Sequence, residues 1–394
     1  MMLKSIVLTD FLSFGPGAIP LALKPLNVVI GPNGSGKSNL TEAFAVLRAV
    51  PRDLPLPIRQ GGGVDEWIWR HDPEARAESA KIEIVFEPGQ VTKNTADNPV
   101  RYRIEFGSQA GSFVVLDERI EHESPEPGKK KPYFYFGYER GRPMLNVKGT
   151  NRSLQRADID QTQSILSQRR DPENSPEIAA VGDRFKEILI YRSWSFGPLS
   201  VIREACRADV QTNLLLEDFS NLPARLMTLK RDPQTKRRLL SHLSEVAPNF
   251  TDLEVAPEGG RLQLYLTEGS RNIPAHRLSD GTLRYLALLA ILLDPGEARL
   301  VVIEEPELGL HPDVFPILRD LLVEASSRFQ LIVTTHSTQL VDAMTEHPEV
   351  VLVCDKPEAT TQIKRLDPEE IESWREFGTL GTLWMSGHLG GLRW

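Results

Sequence analysis

Along the first fifty residues the hydrophobic pattern changes twice. The runs SIVLTDF and LNVVI read as strands, and a glycine-rich stretch follows them. SNLTEAFAVLRAV then shows the apolar spacing of a helix, closed by Pro51. From Lys81 to Val147 the period falls to two. In KIEIVF and RYRIEF, Ile82, Ile84, Phe86 and Tyr102, Ile104, Phe106 alternate with mostly charged neighbours, and SFVVLDERI and YFYFGY continue the series. One apolar face per strand, with spacers such as ESPEPGKKKP between runs, predicts half-buried antiparallel strands joined by exposed loop tips.

From about Ser153 to Pro248 the pattern is helical, with start signals at Ser175 (SPE) and Asp232 (DPQT). A short strand, RLQLYL, leads to a helix that opens in HRLSDGTLRYLALLA. After it come an apolar strand RLVVIEE, another helix, and a second buried strand QLIVTTH. Apolar strands alternating with helices predict a parallel sheet covered on both faces. The expected organisation is a first lobe over 1–150 holding the glycine loop and an antiparallel β-subdomain, a helical insertion over 151–255, and a second lobe over 256–394.

Composition narrows the class. Among 394 residues, Lys and Arg number 46 against 54 Asp and Glu, a net charge of −8, so any nucleic-acid contact needs a local basic patch. No run nears the roughly 18 unbroken apolar residues of a membrane helix, and the start lacks the pattern of a signal peptide. Cys206 and Cys354 lie far apart and in no metal-type cluster, so a reduced, cytoplasmic setting without membrane contact is the expectation.

The candidate chemistry sits where strands end. GPNGSGKS (Gly31, Pro32, Asn33, Gly34, Ser35, Gly36, Lys37, Ser38) lies between a strand and a helix, where a phosphate-binding loop works, and Asn39 continues it. Its glycines let backbone N–H groups curl round a β-phosphate, Lys37 reaches the β and γ oxygens, and the Ser38 hydroxyl suits Mg²⁺. Glu304 and Glu305 close an apolar strand. Adjacent residues there face opposite ways, so Glu304 is expected to serve Mg²⁺ and Glu305 to polarise the attacking water. A solvated strand end is the bland alternative. His336 ends the next strand and is expected at a γ-phosphate, although a lone His there is often structural. Gln60, before a run of glycines, is a candidate for sensing Mg²⁺ and water, or only a loop glutamine. Ser279, Asp280 and Gly281 start the apolar helix, either as a cap or as an anion site. Arg225, Lys230, Arg231, Lys236, Arg237 and Arg238 could grip a phosphate backbone or form a solvated face.

These motifs, with FLSFGPGAIPLALKPLNVVIGPNGSGKSNLTEAF, RLSDGTLRYLALLAILL, VVIEEPELGLHPD, IVTTHSTQLVD and the C-terminal LGTLWMSGHLGG, resemble the ABC-type ATPase heads of SMC and RecF proteins. The OLD-like stand-alone bacterial ATPases are the nearer likeness. The resemblance implies an α/β P-loop NTPase of ABC-ATPase type, a mixed sheet with an antiparallel β-subdomain and a helical insertion. ATP and Mg²⁺ are its implied cofactors. It also implies an ATP-dependent homodimer in which Ser279 and the N–H groups around Gly281 serve the γ-phosphate held by the partner's Lys37. A separate, nuclease-like effector acting on DNA, in genome maintenance, DNA repair or antiviral defence, is implied as well. Asp280 and Thr282 replace the more usual Gly and Gln, and Glu304 stands where many relatives have Asp. There is no long coiled coil, and too few residues follow His336 for a Toprim nuclease domain. A RecF-like repair factor acting without a nuclease is the alternative, and a transporter's nucleotide-binding subunit is the more distant one.

Overall fold

The computed structural model describes residues 2–17, 19–71, 77–95, 97–139, 142–147, 150–153, 159–194, 197–374 and 378–390; Ala18 and Gly391, within the quoted runs, lie outside them. The apolar runs assemble into a six-stranded sheet in the order Ile188–Tyr191, Leu300–Glu304, Gln330–Thr334, Leu26–Ile30, Val351–Asp355, Gln362–Arg365. Every pair is parallel except the last. Strand alternation divides these residues between two cores. Val28, Ile30, Val301, Ile303, Leu331 and Val333 face one, and Val29, Leu300, Val302 and Ile332 face the other. The helix Asp280–Leu292, buried from Leu283 to Leu292, fills the first core. Leu40, Phe44 and Leu47 of the helix Lys37–Ala49 fill the second.

The period-two segment joins strands from the chain's start in an eight-stranded antiparallel sheet, in which Leu3–Thr9, Ser79–Phe86, Val100–Gln109 and Ser112–His122 are successive neighbours. Its apolar face enters the second core. Gln330 joins the two sheets: its Oε1 accepts from Leu3 N at 2.9 Å and its Nε2 donates to Leu3 O at 2.9 Å. A third antiparallel sheet, built on Arg261–Glu268, delivers the chain to the Ser279 helix. Among the described residues, no helix is long and apolar enough to cross a membrane.

Two differences from the sequence reading have physical causes. Ile188–Tyr191 falls inside the stretch expected to be helical, yet it pairs with Leu300–Ile303 and edges the main sheet. Four apolar residues directly after the helix Pro176–Lys186 carry no period of their own; only the distant partner strand decides their state. The main sheet thus draws strands from all three expected segments. The second difference is a bulge. The register shifts opposite Glu105 and Phe106, so Leu116 turns out to solvent and Glu118 turns in.

Glu118 is buried and accepts from Tyr102 OH at 2.9 Å, Ser164 Oγ at 2.5 Å and Ile165 N at 2.9 Å, which ties the start of the helix Ile165–Gln168 to the sheet. Burial outweighs these donors and pushes its carboxyl from 4.5 to about 7. Between those values the folded chain holds a proton that the unfolded chain has released, so this group's contribution to stability falls as pH rises. Glu118→Gln is therefore expected to flatten the drop in thermal midpoint between pH 5 and pH 8; an unchanged pH slope would contradict this assignment.

Candidate nucleotide-binding site

Register creates the site. Val29 lies opposite Thr334, and Thr334 opposite Glu304, so three loops leave the sheet at one level beyond the carboxyl ends of its strands. Two further bonds lock that rim: Thr335 N donates to Val29 O at 3.1 Å, and Glu305 N to Thr334 O at 2.8 Å.

The first loop can be made only with glycine at two places. Gly31 has φ of 149° and a Cβ there would meet Cys354 O at 2.1 Å; Gly36 has φ of 111° and would meet Thr361 Oγ1 at 2.3 Å. The helix Lys37–Ala49 starts directly after Gly36 with no side-chain cap and no acidic residue in its first turn. Its N–H groups and positive end therefore face outward, beside the exposed Ser38. The Ser35 hydroxyl is buried without a partner. Lys37 Nζ lies back over the loop, donating to Gly31 O at 2.7 Å and Pro32 O at 2.9 Å. Burial lowers its pKa, while Glu305 and Glu304 pull it back up. Asn39 is committed elsewhere: its Nδ2 donates to Ser13 Oγ at 2.6 Å, and Thr361 Oγ1 bonds Ser13 Oγ and Ser35 O, each at 2.7 Å. This brace under the loop was not foreseen, because its members stand about as far apart in the chain as residues can.

Glu304 ends its strand partly buried. Burial raises its carboxyl pKa, opposed by Thr41 and by the Arg192 charge. Glu305 has left the strand: its φ is 48°, a left-handed conformation that costs a non-glycine residue about 1–2 kcal/mol. The separation of the two carboxylates thus comes from this turn rather than from simple alternation. Glu305 Oε1 lies 3.8 Å from His336 Nε2. Burial, and then Lys37, lower the His336 pKa against the opposing Glu305. Glu307 went unnoticed in the sequence, although EEPE advertises a third acid. It is buried, and its Oε1 takes Thr335 Oγ1 at 2.5 Å and His336 N at 3.2 Å, holding the His336 loop against the acidic turn.

At the other helix start, Ser279 is exposed and caps Asp280–Leu292: its Oγ accepts from Thr282 N at 3.1 Å and meets Thr282 Oγ1 at 2.8 Å. The Asp280 carboxylate is turned away, bonded to Arg203 and to Gly197 N at 3.3 Å. A Cβ on Gly281 would meet Gly309 O at 2.8 Å. Among the described residues, no hydrogen bond or ion pair joins Ser279, Asp280 or Gly281 to the loop Gly31–Asn39 of the same chain.

Other candidates fall outside this cluster. Gln60 ends the helix Pro55–Gln60 and lines a cavity of about 580 Å³ with Arg48, Arg52, Lys186 and Arg192; neither Ser38 nor Glu304 borders it. Arg225 cannot grip DNA. It is buried, donates to Thr212 O at 3.1 Å and Asp294 O at 2.5 Å, and pairs with Asp294 at 2.9 Å. Its place beside Leu222, Leu226 and Leu229 on the helix's apolar face explains this. Lys230 donates to Leu253 O and Arg238 pairs with Glu324, which leaves Arg231 and Arg237 exposed and Lys236 half-buried. Cys206 and Cys354 are free and buried.

The comparisons with known proteins agree with this architecture. The family model described as "AAA domain, putative AbiEii toxin, Type IV TA system" matches residues 26–342. Among solved structures, the chain is similar to an Smc head bound to the C-winged helix domain of ScpA, with a TM-score of 0.58 and 13% identity over 94% of this chain and 100% of that one. It is also similar to the Smc head domain with an extended coiled coil bound to the C-terminal domain of ScpA from Pyrococcus furiosus, with a TM-score of 0.55 and 13% identity over 96% and 99%. No curated protein matches the chain. The family match over most of the chain and the shared fold lead to one conclusion: the chain belongs to this AAA-domain family and has the fold of the Smc head.

Proposed function

We propose that the chain binds MgATP at Gly31–Ser38, pairs head to head around it and hydrolyses it. The observation that carries this reading is the meeting of Lys37, Glu304, Glu305 and His336 at one sheet rim, in front of an uncapped helix start. Lys37 exchanges its two loop carbonyls for phosphate oxygens, a stronger charge-assisted contact. Ser38 and Glu304 offer the few hard oxygen donors that Mg²⁺ takes beside phosphates. Glu305 accepts the proton of the attacking water, and His336, beside it, bonds the γ-phosphate. Gln60 has no part in this set. Ser279 and the first-turn N–H groups serve the nucleotide of a second copy.

The output is control of a separate, DNA-acting partner, nuclease-like in chemistry, in genome maintenance or defence. Two findings support the separate partner, while its DNA-acting chemistry rests on the resemblance of the motifs. The family description includes the words "putative AbiEii toxin, Type IV TA system", and both similar heads were solved with a bound partner protein. Any direct DNA contact falls to Arg231, Lys236 and Arg237.

Lys37→Ala is expected to weaken ATP binding more than about tenfold; affinity within a factor of about two of wild type, by titration with a labelled nucleotide, would remove the phosphate-loop assignment. Glu305→Gln should slow turnover at least about a hundredfold and accumulate an ATP-dependent dimer by light scattering. Adding Ser279→Arg should dissolve that dimer and leave monomer ATP affinity intact. Wild-type turnover by Ser279→Arg alone, linear in protein concentration, would reduce Ser279 to a cap. If the chain binds DNA itself, Arg231→Glu with Arg237→Glu should lower affinity and flatten its salt dependence by about two contacts; an unchanged salt slope places the DNA surface elsewhere.

A further inference from the structure

The Ser279 helix and the Glu305 turn are joined by a side chain that no motif marks. Arg284, on the second turn of Asp280–Leu292, has no exposed surface, and it donates to the Glu305 carbonyl. Its guanidinium lies 4.0 Å over the Trp194 ring, and Trp194 Nε1 donates to the Glu304 carbonyl at 2.8 Å. Trp194 is held in turn by stacking on Phe219, with ring centroids 4.6 Å apart. Two consecutive carbonyls of the acidic turn are therefore gripped by two stacked side chains. The grip falls where the backbone needs it, since Glu305 sits at φ of 48°. A residue in that region persists when its surroundings over-determine it. Here Thr334 O holds the Glu305 amide and Arg284 holds its carbonyl.

Burying a guanidinium is costly, and an apolar residue of similar length would fill this core position more cheaply. Burial lowers the Arg284 pKa to about 10, so the group stays charged at neutral pH, with Glu307 and Glu305 favouring that state. We propose that Arg284 is a positioning residue for the reaction. By fixing the left-handed turn it aims the Glu305 carboxylate at the His336 side of the site, and it ties that aim to the helix that begins at Ser279. This rests on the reading of Glu305 as the group that activates water, but the grip itself is testable without turnover.

The experiment compares Arg284→Met, Arg284→Lys and Trp194→Phe in the full chain. Arg284→Met is expected to lower kcat about ten- to a hundredfold while nucleotide Kd stays within twofold, since a displacement of about 1 Å at a reacting group costs that much. Arg284→Lys, which keeps the cation, should recover part of the loss. In a Glu305→Gln background Arg284→Met should change kcat less than twofold, because the residue acts only through Glu305. A general packing defect would multiply the two losses instead, and that result overturns the proposal. Amide hydrogen exchange supplies the turnover-independent arm. Arg284→Met and Trp194→Phe should each speed exchange of the Glu305 amide at least tenfold, with strand Gln330–Thr334 unchanged. Unaltered exchange overturns the proposal. An inactive wild-type chain with faster exchange in the variants would instead count against the ATPase reading alone.

Discussion

The alignment of Glu304, Thr334 and Val29 across three parallel strands is the constraint from which the site follows. Each strand is apolar throughout because both of its faces are covered, and burial on both faces leaves its register little freedom. A slip of one residue in Gln330–Thr334 would exchange the two cores' side chains and carry His336 away from Glu305. The phosphate loop, the acidic turn and the His336 loop need not recognise one another to meet. The sheet brings them to one level, and short contacts then refine the geometry.

Those contacts come in two kinds. Around the phosphate loop they brace backbone with hydroxyls and an amide: Ser13, Thr361 and Asn39 sit beneath Gly36, where a side chain would collide with Thr361. Around the acidic turn they use buried charge: Arg284 on the Glu305 carbonyl and Glu307 on the His336 amide. Hydroxyl braces hold the loop's backbone through short neutral contacts. Buried charges are costlier to place and strongly coupled to their neighbours. They suit a turn whose exact orientation matters more than its contribution to stability.

What the sequence disclosed follows the same division. The placement of the glycine loop between strand and helix was legible because its requirements are local: three glycines, a lysine and a serine in one short run. The two-sided sheet was legible because double burial writes uninterrupted apolar runs, and the antiparallel sheet because single burial writes alternation. Ile188–Tyr191 was not, since four apolar residues specify nothing until Leu300–Glu304 lies beside them. Ser13 and Thr361, Gln330 and Leu3, and Arg284 and Trp194 were equally silent, each joining distant parts of the chain. The basic run from Arg225 to Arg238, split over two helices, misled for a related reason. Charge read along the sequence cannot distinguish Arg225, inside the first core's boundary and spent on Asp294, from Arg237, which faces water.

At the Ser279 helix start, the observed cap leaves room for the proposed anion-binding duty. A cap uses one lone pair of the Ser279 oxygen for Thr282 N, and the first-turn N–H groups still point past it. The obstacle is Asp280, whose negative charge in the first turn favours the helix but repels a phosphate at the same place. Arg203 removes that obstacle. It is 9% exposed, it bonds the Asp280 carboxylate directly, and it also donates to Leu278 O at 2.6 Å and Gly197 O at 3.0 Å. The carboxylate is drawn sideways and neutralised by a cation that the turn's own carbonyls hold in place. Its pKa falls for that reason, so it stays ionised and keeps its grip at neutral pH. The helix start keeps its donors and dipole but presents no uncompensated negative charge. If this helix start serves a second copy's nucleotide, as proposed, an aspartate in place of the more usual glycine is tolerable there because of one arginine 77 residues earlier in the chain.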